Sequence, residues 1–310
     1  MRRSFVQVRI PDGCQGVVKL KYRIYREYAM YTGSCLCERI TWEVDSTPCP
    51  VYHCHCSMCR KIHGAAFGTY AYAPTSGFRW TGKTDSLRNY RSSPSLVRSF
   101  CSCCGSVVPN PDEEEDYVYI PIGCQDDGPK ADCHIFAASK APWLELTDGL
   151  PKHDRHPPGV DLDVFSPEVP DSPEAGVVRG SCLCSAIRFR VTAPFRVIYN
   201  CHCRRCRRAR SAAFTTNGFT ADSDVIVTHG EEHLKSYKIP EAKYFTQVFC
   251  ELCGSGMPRI SSERGVAVTP LGALDDDPGR KPDCNIWFAS RANWYEPVND
   301  LLSHDEDPPR

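Results

Sequence analysis

The chain has 310 residues, a formal net charge of −1 and 20 cysteines. This length suits two domains of about 150 residues, each able to bury its own core. The balanced charge excludes the overall basic excess typical of non-specific binding to nucleic acid or membrane surfaces. No apolar run suits a signal peptide or a membrane span, so we expect a cytoplasmic protein, with the nucleus as the other compartment open to it.

The first 30 residues have no counterpart later in the chain. Residues 5–10 and 17–22 alternate like strands around Pro11-Asp12-Gly13. This pattern predicts a hairpin added to the first domain.

The rest of the chain contains one pattern twice. Gly33-Ser34-Cys35-Leu36-Cys37 and Cys54-His55-Cys56 both recur 147 residues later, as residues 180–184 and 201–203. Phe100-Cys101 recurs after 149 residues and Cys133 after 151, as Cys284. We predict a tandem duplication. Its parts are an N-terminal extension (1–30), a first domain (31–150), a Pro-rich and acidic linker (151–175) and a second domain (176–310).

Most local signals are short and β-like, at residues 39–44, 117–120, 187–191 and 225–228. Long helical periods are absent, and one helical turn is expected in each copy, at residues 57–63 and 204–210. The fold class is therefore mainly β, with the cysteine clusters at loop-to-helix junctions, where backbone N–H groups stabilise thiolates.

Tight Cys-x-Cys and Cys-x-x-Cys spacings in a reducing compartment indicate metal thiolates rather than disulfides. Zinc takes four tetrahedral ligands, which one Cys-x-Cys turn and one distant Cys-x-x-Cys knuckle can supply. We predict one closed structural zinc site in each domain. The ligands are Cys35, Cys37, Cys101 and Cys104 in the first domain and Cys182, Cys184, Cys250 and Cys253 in the second.

A second cluster, of three cysteines, stands at each helical turn. Its members are Cys54, Cys56 and Cys59, repeated as Cys201, Cys203 and Cys206. Three protein ligands with an open fourth position are typical of a catalytic zinc, whereas Cys133 and Cys284 could instead complete closed sites. Spacing alone leaves both readings open. An open site with three thiolates on a dication has a net charge of −1, which suits a sulfur-containing substrate better than the activation of water. Four zinc ions per chain are predicted.

Several cysteines and histidines fall outside these sets. Cys103 stands beside Cys104 where the second copy has Leu252, which leaves some ambiguity about the ligand there. Cys14, Cys49 and Cys124 have no counterparts and are expected to be buried thiols. His55 and His202 lie between ligand cysteines, where they could support the ligands from outside the coordination sphere or only pack; packing is expected, and neither is predicted to bind metal.

Together, these motifs make each half resemble the family of the glutathione-dependent formaldehyde-activating enzyme and centromere protein V. The resemblance covers about residues 33–147 and 178–298 and includes the Ala-Ala-Phe that follows each three-cysteine cluster. It implies two tandem Mss4-like zinc-binding β domains, each with a structural four-cysteine zinc. The three-cysteine zinc would be catalytic, with glutathione and an aldehyde as substrates. The implied activity is a carbon–sulfur lyase that forms or cleaves a thiol–aldehyde adduct, and the sequence assigns no general base.

Two other functions compete with this one. An enzyme of the same fold could act on a larger carbonyl compound of specialised metabolism without glutathione. Alternatively, a non-catalytic zinc-stapled module could contact nucleic acid through residues 204–210, which contain five arginines. The acidic runs elsewhere and the lack of aromatic residues among these arginines disfavour nucleic acid as a partner. The sequence does not indicate the oligomeric state.

Overall fold

A computed structural model describes residues 30–45, 50–94, 96–111, 116–158, 165, 169 and 174–308. The predicted N-terminal hairpin, Cys14 and Cys49 lie outside these residues. The described chain is mainly β, as the sequence predicts, with two short α-helices at the positions expected from the cysteine clusters. Among the described residues, no helix has the length and apolar character needed to cross a membrane.

The described residues of the first half form three sheets around helix α1 (Ser57–His63). Its strands are β1 (Tyr31–Ser34), β2 (Thr41–Val44), β3 (Val51–Cys54), β4 (Gly68–Pro74), β5 (Phe78–Trp80), β6 (Leu87–Ser93), β7 (Leu96–Cys101), β8 (Val107–Val108), β9 (Asn110–Pro111), β10 (Tyr117–Pro121) and β11 (Cys133–Ile135). The sheet orders are β1-β2-β5, β11-β3-β4-β10-β9 and β6-β7-β8. In the five-stranded sheet, β3 and β11 are parallel and the other neighbours are antiparallel.

The second half repeats this arrangement around helix α2 (Arg204–Arg210). Its strands are β12 (Val178–Ser181), β13 (Arg188–Val191), β14 (Val197–Cys201), β15 (Thr215–Thr220), β16 (Val225–His229), β17 (Leu234–Lys238), β18 (Thr246–Cys250), β19 (Arg259–Ser261), β20 (Val266–Pro270) and β21 (Cys284–Ile286). The sheet orders are β12-β13-β16, β19-β20-β15-β14-β21 and β17-β18.

The repeat continues past residue 150, into the segment that the sequence suggests is a linker. Residues 151–153 pair with β11, since the N–H of His134 donates to the carbonyl of Pro151 at 2.8 Å. The N–H of Asn285 donates to the carbonyl of Leu302 at the same distance. Both halves therefore end in a segment that adds to the edge of the five-stranded sheet.

Both helices begin and end in the same way. Cys56 and Cys203 are the N-caps, and each sulfur accepts a hydrogen bond at 3.4 Å from the N–H three residues on. The last residue of each helix is followed by a left-handed residue, Gly64 (φ 56°) in the first half and Ser211 (φ 53°) in the second. Glycine adopts this conformation at little cost, whereas Ser211 is held by a hydrogen bond from its Oγ to the carbonyl of Val107 at 2.7 Å.

The two halves pack against each other through reciprocal contacts. Helix α1 packs on the 3₁₀ turn Leu271–Ala273, and α2 packs on the equivalent turn Ile122–Cys124. Each turn has a glycine at the closest approach. A Cβ on Gly123 would lie 2.1 Å from the backbone N of Ala212, and one on Gly272 would lie 2.3 Å from that of Ala65. Contacts that occur in reciprocal pairs are those of a two-fold arrangement.

Polar and aromatic contacts between the halves follow the same two-fold arrangement. Lys61 pairs with Asp275 at 2.5 Å, and Arg208 pairs with Asp126 at 3.1 Å. At the centre, the Phe67 and Phe214 rings meet edge to face, with centroids 5.4 Å apart. One hydrophobic cluster includes buried side chains of both halves. The halves therefore share a core.

Candidate metal centres

Four groups of cysteine sulfurs converge in the described residues, and within each group the sulfurs lie within 4.8 Å of one another. Two groups have four members, two from the turn after the first strand of each half, one from the end of β7 or β18 and one from the loop that follows it. They contain Cys35, Cys37, Cys101 and Cys104, and Cys182, Cys184, Cys250 and Cys253. The structure thus brings together the residues predicted for the structural sites, and Cys104 rather than Cys103 joins the first group.

The other two groups contain three cysteines each, at the N-terminus of a helix. Cys54 ends β3, Cys56 caps α1 and Cys59 lies in its first turn. Cys201, Cys203 and Cys206 have the same places around β14 and α2. Both predicted three-cysteine clusters are therefore assembled, and the helix geometry alone brings the second and third sulfurs together.

The donor sets fit a thiophilic divalent ion such as zinc. Zinc–thiolate bonds of about 2.3 Å in tetrahedral geometry place sulfurs about 3.8 Å apart. The Sγ atoms of Cys35 and Cys37 are 3.5 Å apart, and those of Cys54 and Cys56 are 3.6 Å apart. Hydrogen bonding among neighbouring cysteines raises the pKa of Cys35 and of Cys54 above its usual value and lowers that of Cys101 and of Cys59. A bound dication would stabilise all the sulfurs of a group as thiolates.

Cys133 and Cys284 lie near the three-cysteine groups but do not belong to them. Cys133 pairs with Tyr52 across the parallel β3–β11 ladder, while its neighbour Ile135 pairs with Cys54. Burial raises the pKa of the Cys133 thiol to about 11, as expected for a protonated core cysteine. Among the described residues, this arrangement favours an open fourth position. Cys124 is a buried thiol at the contact between the halves, with its Sγ 3.0 Å from Ser211 Oγ.

The histidines between the ligand cysteines contact the core. His55 is fully buried, and its Nε2 lies 2.8 Å from Nδ1 of His134, whose Nε2 lies 2.8 Å from Asp148 Oδ2. In the second half, His202 Nε2 contacts Asn285 Oδ1 at 3.3 Å. Neither histidine belongs to a sulfur group, and each is held by a side-chain hydrogen bond inside the fold.

Beside the first three-cysteine group is a polar network that the sequence analysis missed. Arg98 donates from Nη2 to Cys59 Sγ at 3.6 Å and from Nη1 to the Tyr70 hydroxyl at 3.1 Å. The Tyr70 hydroxyl lies 2.6 Å from His63 Nε2, and His63 Nδ1 lies 2.6 Å from the carbonyl oxygen of Arg210. Because a carbonyl only accepts, His63 donates from Nδ1 and accepts from Tyr70. Burial lowers the pKa of His63 to about 4.

All three positions differ in the second half. Gln247 replaces Arg98 and donates to the carbonyl of Ala209 at 3.4 Å. Asn217 replaces Tyr70 and donates to Thr215 Oγ1 at 3.0 Å, while Arg210 replaces His63. Aligning the two copies at their fixed offsets reveals these three differences in the sequence. Only the fold shows that the differing residues, which lie on strands and a helix, surround the same cysteine group.

The first site also adjoins a tyrosine face on the five-stranded sheet. Tyr52 lies opposite Tyr70, and Tyr72 lies opposite Tyr119, on the same face as Cys54. The Tyr72 ring is 5.7 Å from that of Tyr52 and 4.7 Å from that of Tyr119. The second half has Tyr199, Asn217, Phe219 and Val268 at these four positions. The two sites therefore have different walls.

Most arginines of α2 form ion pairs within the protein. Arg207 and Arg208 are buried, and both contact Asp126 of the first half at 3.1 Å. Arg204 contacts the same carboxylate at 2.9 Å. Most of these charges are thus engaged across the contact between the halves.

Comparison with known proteins gives concordant results. A family model described as glutathione-dependent formaldehyde-activating enzyme matches residues 30–139 and 177–290. A protein of Halomonas elongata, provisionally named a glutathione-dependent formaldehyde-activating enzyme, is 30% identical over 127 residues, which cover 39% of this chain and 80% of that protein. The match to a crystal structure of a Rhodobacter sphaeroides protein has 22% identity and a TM-score of 0.27, and it covers 34% of this chain and 97% of that protein. The chain belongs to the glutathione-dependent formaldehyde-activating enzyme family, whose sequence pattern it matches in two separate segments.

Proposed function

We propose that the protein is a zinc-dependent carbon–sulfur lyase that forms or cleaves the adduct of a thiol, such as glutathione, with an aldehyde. The observation that carries this proposal is the pair of three-sulfur groups, Cys54, Cys56 and Cys59 and their equivalents Cys201, Cys203 and Cys206. Each leaves one tetrahedral position for a ligand from outside the protein. Family membership supports the same chemistry.

The reaction needs no oxidant and no protein nucleophile. In the forward direction the thiol sulfur bonds to the carbonyl carbon, the carbon–oxygen π bond breaks, and the thiol proton ends on oxygen. Zinc held by the three cysteines would act as a Lewis acid that stabilises negative charge on sulfur or oxygen. The protein's own part is to fix the three sulfurs: β3 or β14 holds the first, and a short helix holds the other two.

An exchange assay tests the proposal. Glutathione and formaldehyde are mixed with zinc-loaded protein, and the rates of adduct formation and breakdown are measured by magnetisation-exchange NMR. We expect acceleration over the uncatalysed rate, loss of this acceleration in the double variant Cys56→Ser/Cys203→Ser, and retention in Cys103→Ser, which alters a cysteine outside the groups. Rates equal to background with fully zinc-loaded protein would refute the proposal.

The tyrosine face favours a second candidate, an enzyme of the same fold that acts on a larger carbonyl compound without glutathione. Tyr52, Tyr70, Tyr72 and Tyr119 adjoin the first site, and aromatic faces of this kind stack on planar substrates. A panel of aliphatic and aromatic aldehydes, each with and without glutathione, separates the two. Turnover of an aromatic carbonyl compound that Tyr72→Leu abolishes, with no dependence on glutathione, would favour this candidate.

Binding to nucleic acid through residues 204–210 has weaker support. Arg207 and Arg208 already face Asp126, and Arg210 is buried. Phosphate binding through Arg207 and Arg208 would require the halves to separate, and only Arg204 and Arg205 are exposed in this run. We expect no salt-dependent affinity for DNA or RNA, measured by fluorescence anisotropy at two salt concentrations.

A further inference from the structure

Among the described residues, each three-cysteine group has beside it one deeply buried arginine that lacks a carboxylate partner. Arg98 is 6% exposed and Arg210 is 8% exposed. Arg98 donates to Ser92, Tyr70 and Cys59, and Arg210 Nη1 has no hydrogen-bond partner among the described residues. An unpaired guanidinium in a protein interior is strongly unfavourable. A negative charge of another kind must therefore compensate both.

The nearest candidates for that charge are the cysteine sulfurs. Arg98, on β7, reaches Cys59 Sγ at 3.6 Å. Arg210 follows Cys206 by four residues in α2, which puts both side chains on one face of the helix. Burial lowers the pKa of Arg210 to about 10, and the negative charge of Cys206 opposes this effect.

The other basic groups near the sulfurs either pair with a carboxylate or are only partly buried. Lys61 pairs with Asp275, and Arg207 pairs with Asp126, in each case across the contact between the halves. Arg60, the equivalent of Arg207, is only partly buried, and its positive charge interacts with Cys56 and also with Asp275 and Cys59. Arg259, on β19, is only partly buried and donates to the carbonyl of Tyr244.

We propose that Arg98 and Arg210 each supply the single positive charge that cancels the net −1 of three thiolates around a divalent cation, and that the two halves supply it from different positions. The first half has arginine on the strand and His63 on the helix. The second half has Gln247 on the strand and arginine on the helix. The inference goes beyond the proposed reaction, because it concerns how the sites hold metal.

The residues around Arg210 have the sizes needed for an arginine at the helix position. A Cβ on Gly256 would lie 1.2 Å from Arg210 Nη1, so the guanidinium occupies space that a side chain at this position would need. The equivalent residue in the first half is Val107, which is buried, and there the helix position holds the smaller His63. The change from valine to glycine thus accompanies the change from histidine to arginine.

The test measures zinc retention in the full-length, zinc-loaded chain by titration with a chromophoric chelator. Loss of a group that supports a metal ligand typically weakens affinity about 10- to 100-fold. We expect a loss of this size for one zinc ion in Arg98→Gln and for one in Arg210→Gln. Arg98→Lys keeps the charge and should retain its zinc. The matched controls Arg88→Gln and Arg205→Gln, at exposed positions, should behave like the unmodified protein.

The double variant Arg210→Gln/Gln247→Arg moves the charge of the second half to the position used in the first, and we expect it to restore the zinc that Arg210→Gln loses. If Arg98→Gln does not fold, the zinc content of this double variant still tests the proposal. The proposal is overturned if both single glutamine variants retain all their zinc, if Arg98→Lys loses as much as Arg98→Gln, or if the double variant folds without recovering the metal. Zinc retention does not depend on turnover, so a protein inactive towards thiols and aldehydes would refute the proposed function without altering this result.

Discussion

The close contact between the halves predicts that adding one methyl group at Gly123 lowers the stability of the protein. In Gly123→Ala, the new Cβ would lie 2.1 Å from both the backbone N of Ala212 and the backbone C of Ser211. An ordinary contact at this position needs at least about 3.4 Å, so the start of the segment after α2 must move by more than about 1 Å. Neither atom belongs to a flexible side chain that could turn away. Gly123 does not adopt a left-handed conformation, so contact alone excludes alanine.

Overpacking of this kind costs roughly 1–3 kcal/mol, and more where backbone must move. One kcal/mol corresponds to about 2–4 °C in Tm for units of about 150–250 residues. We expect Gly123→Ala to unfold several degrees below the unmodified protein in differential scanning calorimetry. Gly149→Ala is the matched control, since nothing lies within 4 Å of its new Cβ. Equal melting temperatures for the two variants would refute the close packing of the halves.

Four further predictions concern the metal sites. Elemental analysis of protein purified without chelator should find four zinc ions per chain, and a count of two would contradict the assignment of two kinds of site. Cys35→Ser should lose folding, whereas Cys56→Ser should mainly lose activity and one metal ion, and equal losses of thermal stability would mean that both sites are structural. The pKa of His63 is lowered from 6.5 to about 4, so the unfolded chain binds more protons between these pH values and stability should fall as the pH falls through this window. The free energy of unfolding of His63→Gln should depend less on pH in this window than that of the unmodified protein. An unchanged pH dependence would contradict the role of His63. In a crystal structure of the zinc-loaded protein, the Cys133 and Cys284 sulfurs should lie beyond the bonding distance of about 2.3 Å, and a bonded sulfur would make that site structural.

Much of the local structure could be predicted from the sequence because it depends on short spacings. Cys56 and Cys59 lie three residues apart, which suits one helical turn, and α1 spans Ser57–His63 as predicted. The predicted strand at residues 117–120 corresponds to β10, because alternation marks a strand with one buried face. The duplicated Cys-x-x-Cys motif likewise indicated which sulfurs would converge.

Contacts between distant segments could not be predicted in this way. Arg98 and Cys59 are 39 residues apart, and only the packing of β7 beside α1 brings them together. Arg208 belonged to a run that resembled a phosphate-binding surface, but the fold buries it against Asp126. Residue spacing carries no information on how two similar halves face each other, so the sequence could not distinguish an exposed arginine from one paired across the contact.

Covalent fusion of the two halves has a consequence for symmetry. In an assembly of two identical chains, every substitution appears on both sides of the axis, so a valine-to-glycine change that makes room for one arginine also opens a void opposite it. In this chain Val107 and Gly256 occupy equivalent places independently. His63 of the first half donates to the backbone carbonyl of Arg210, its equivalent in the second half, so two different residues meet at the axis. Symmetry breaking of this kind lets one site change its substrate-facing residues while the other keeps its own.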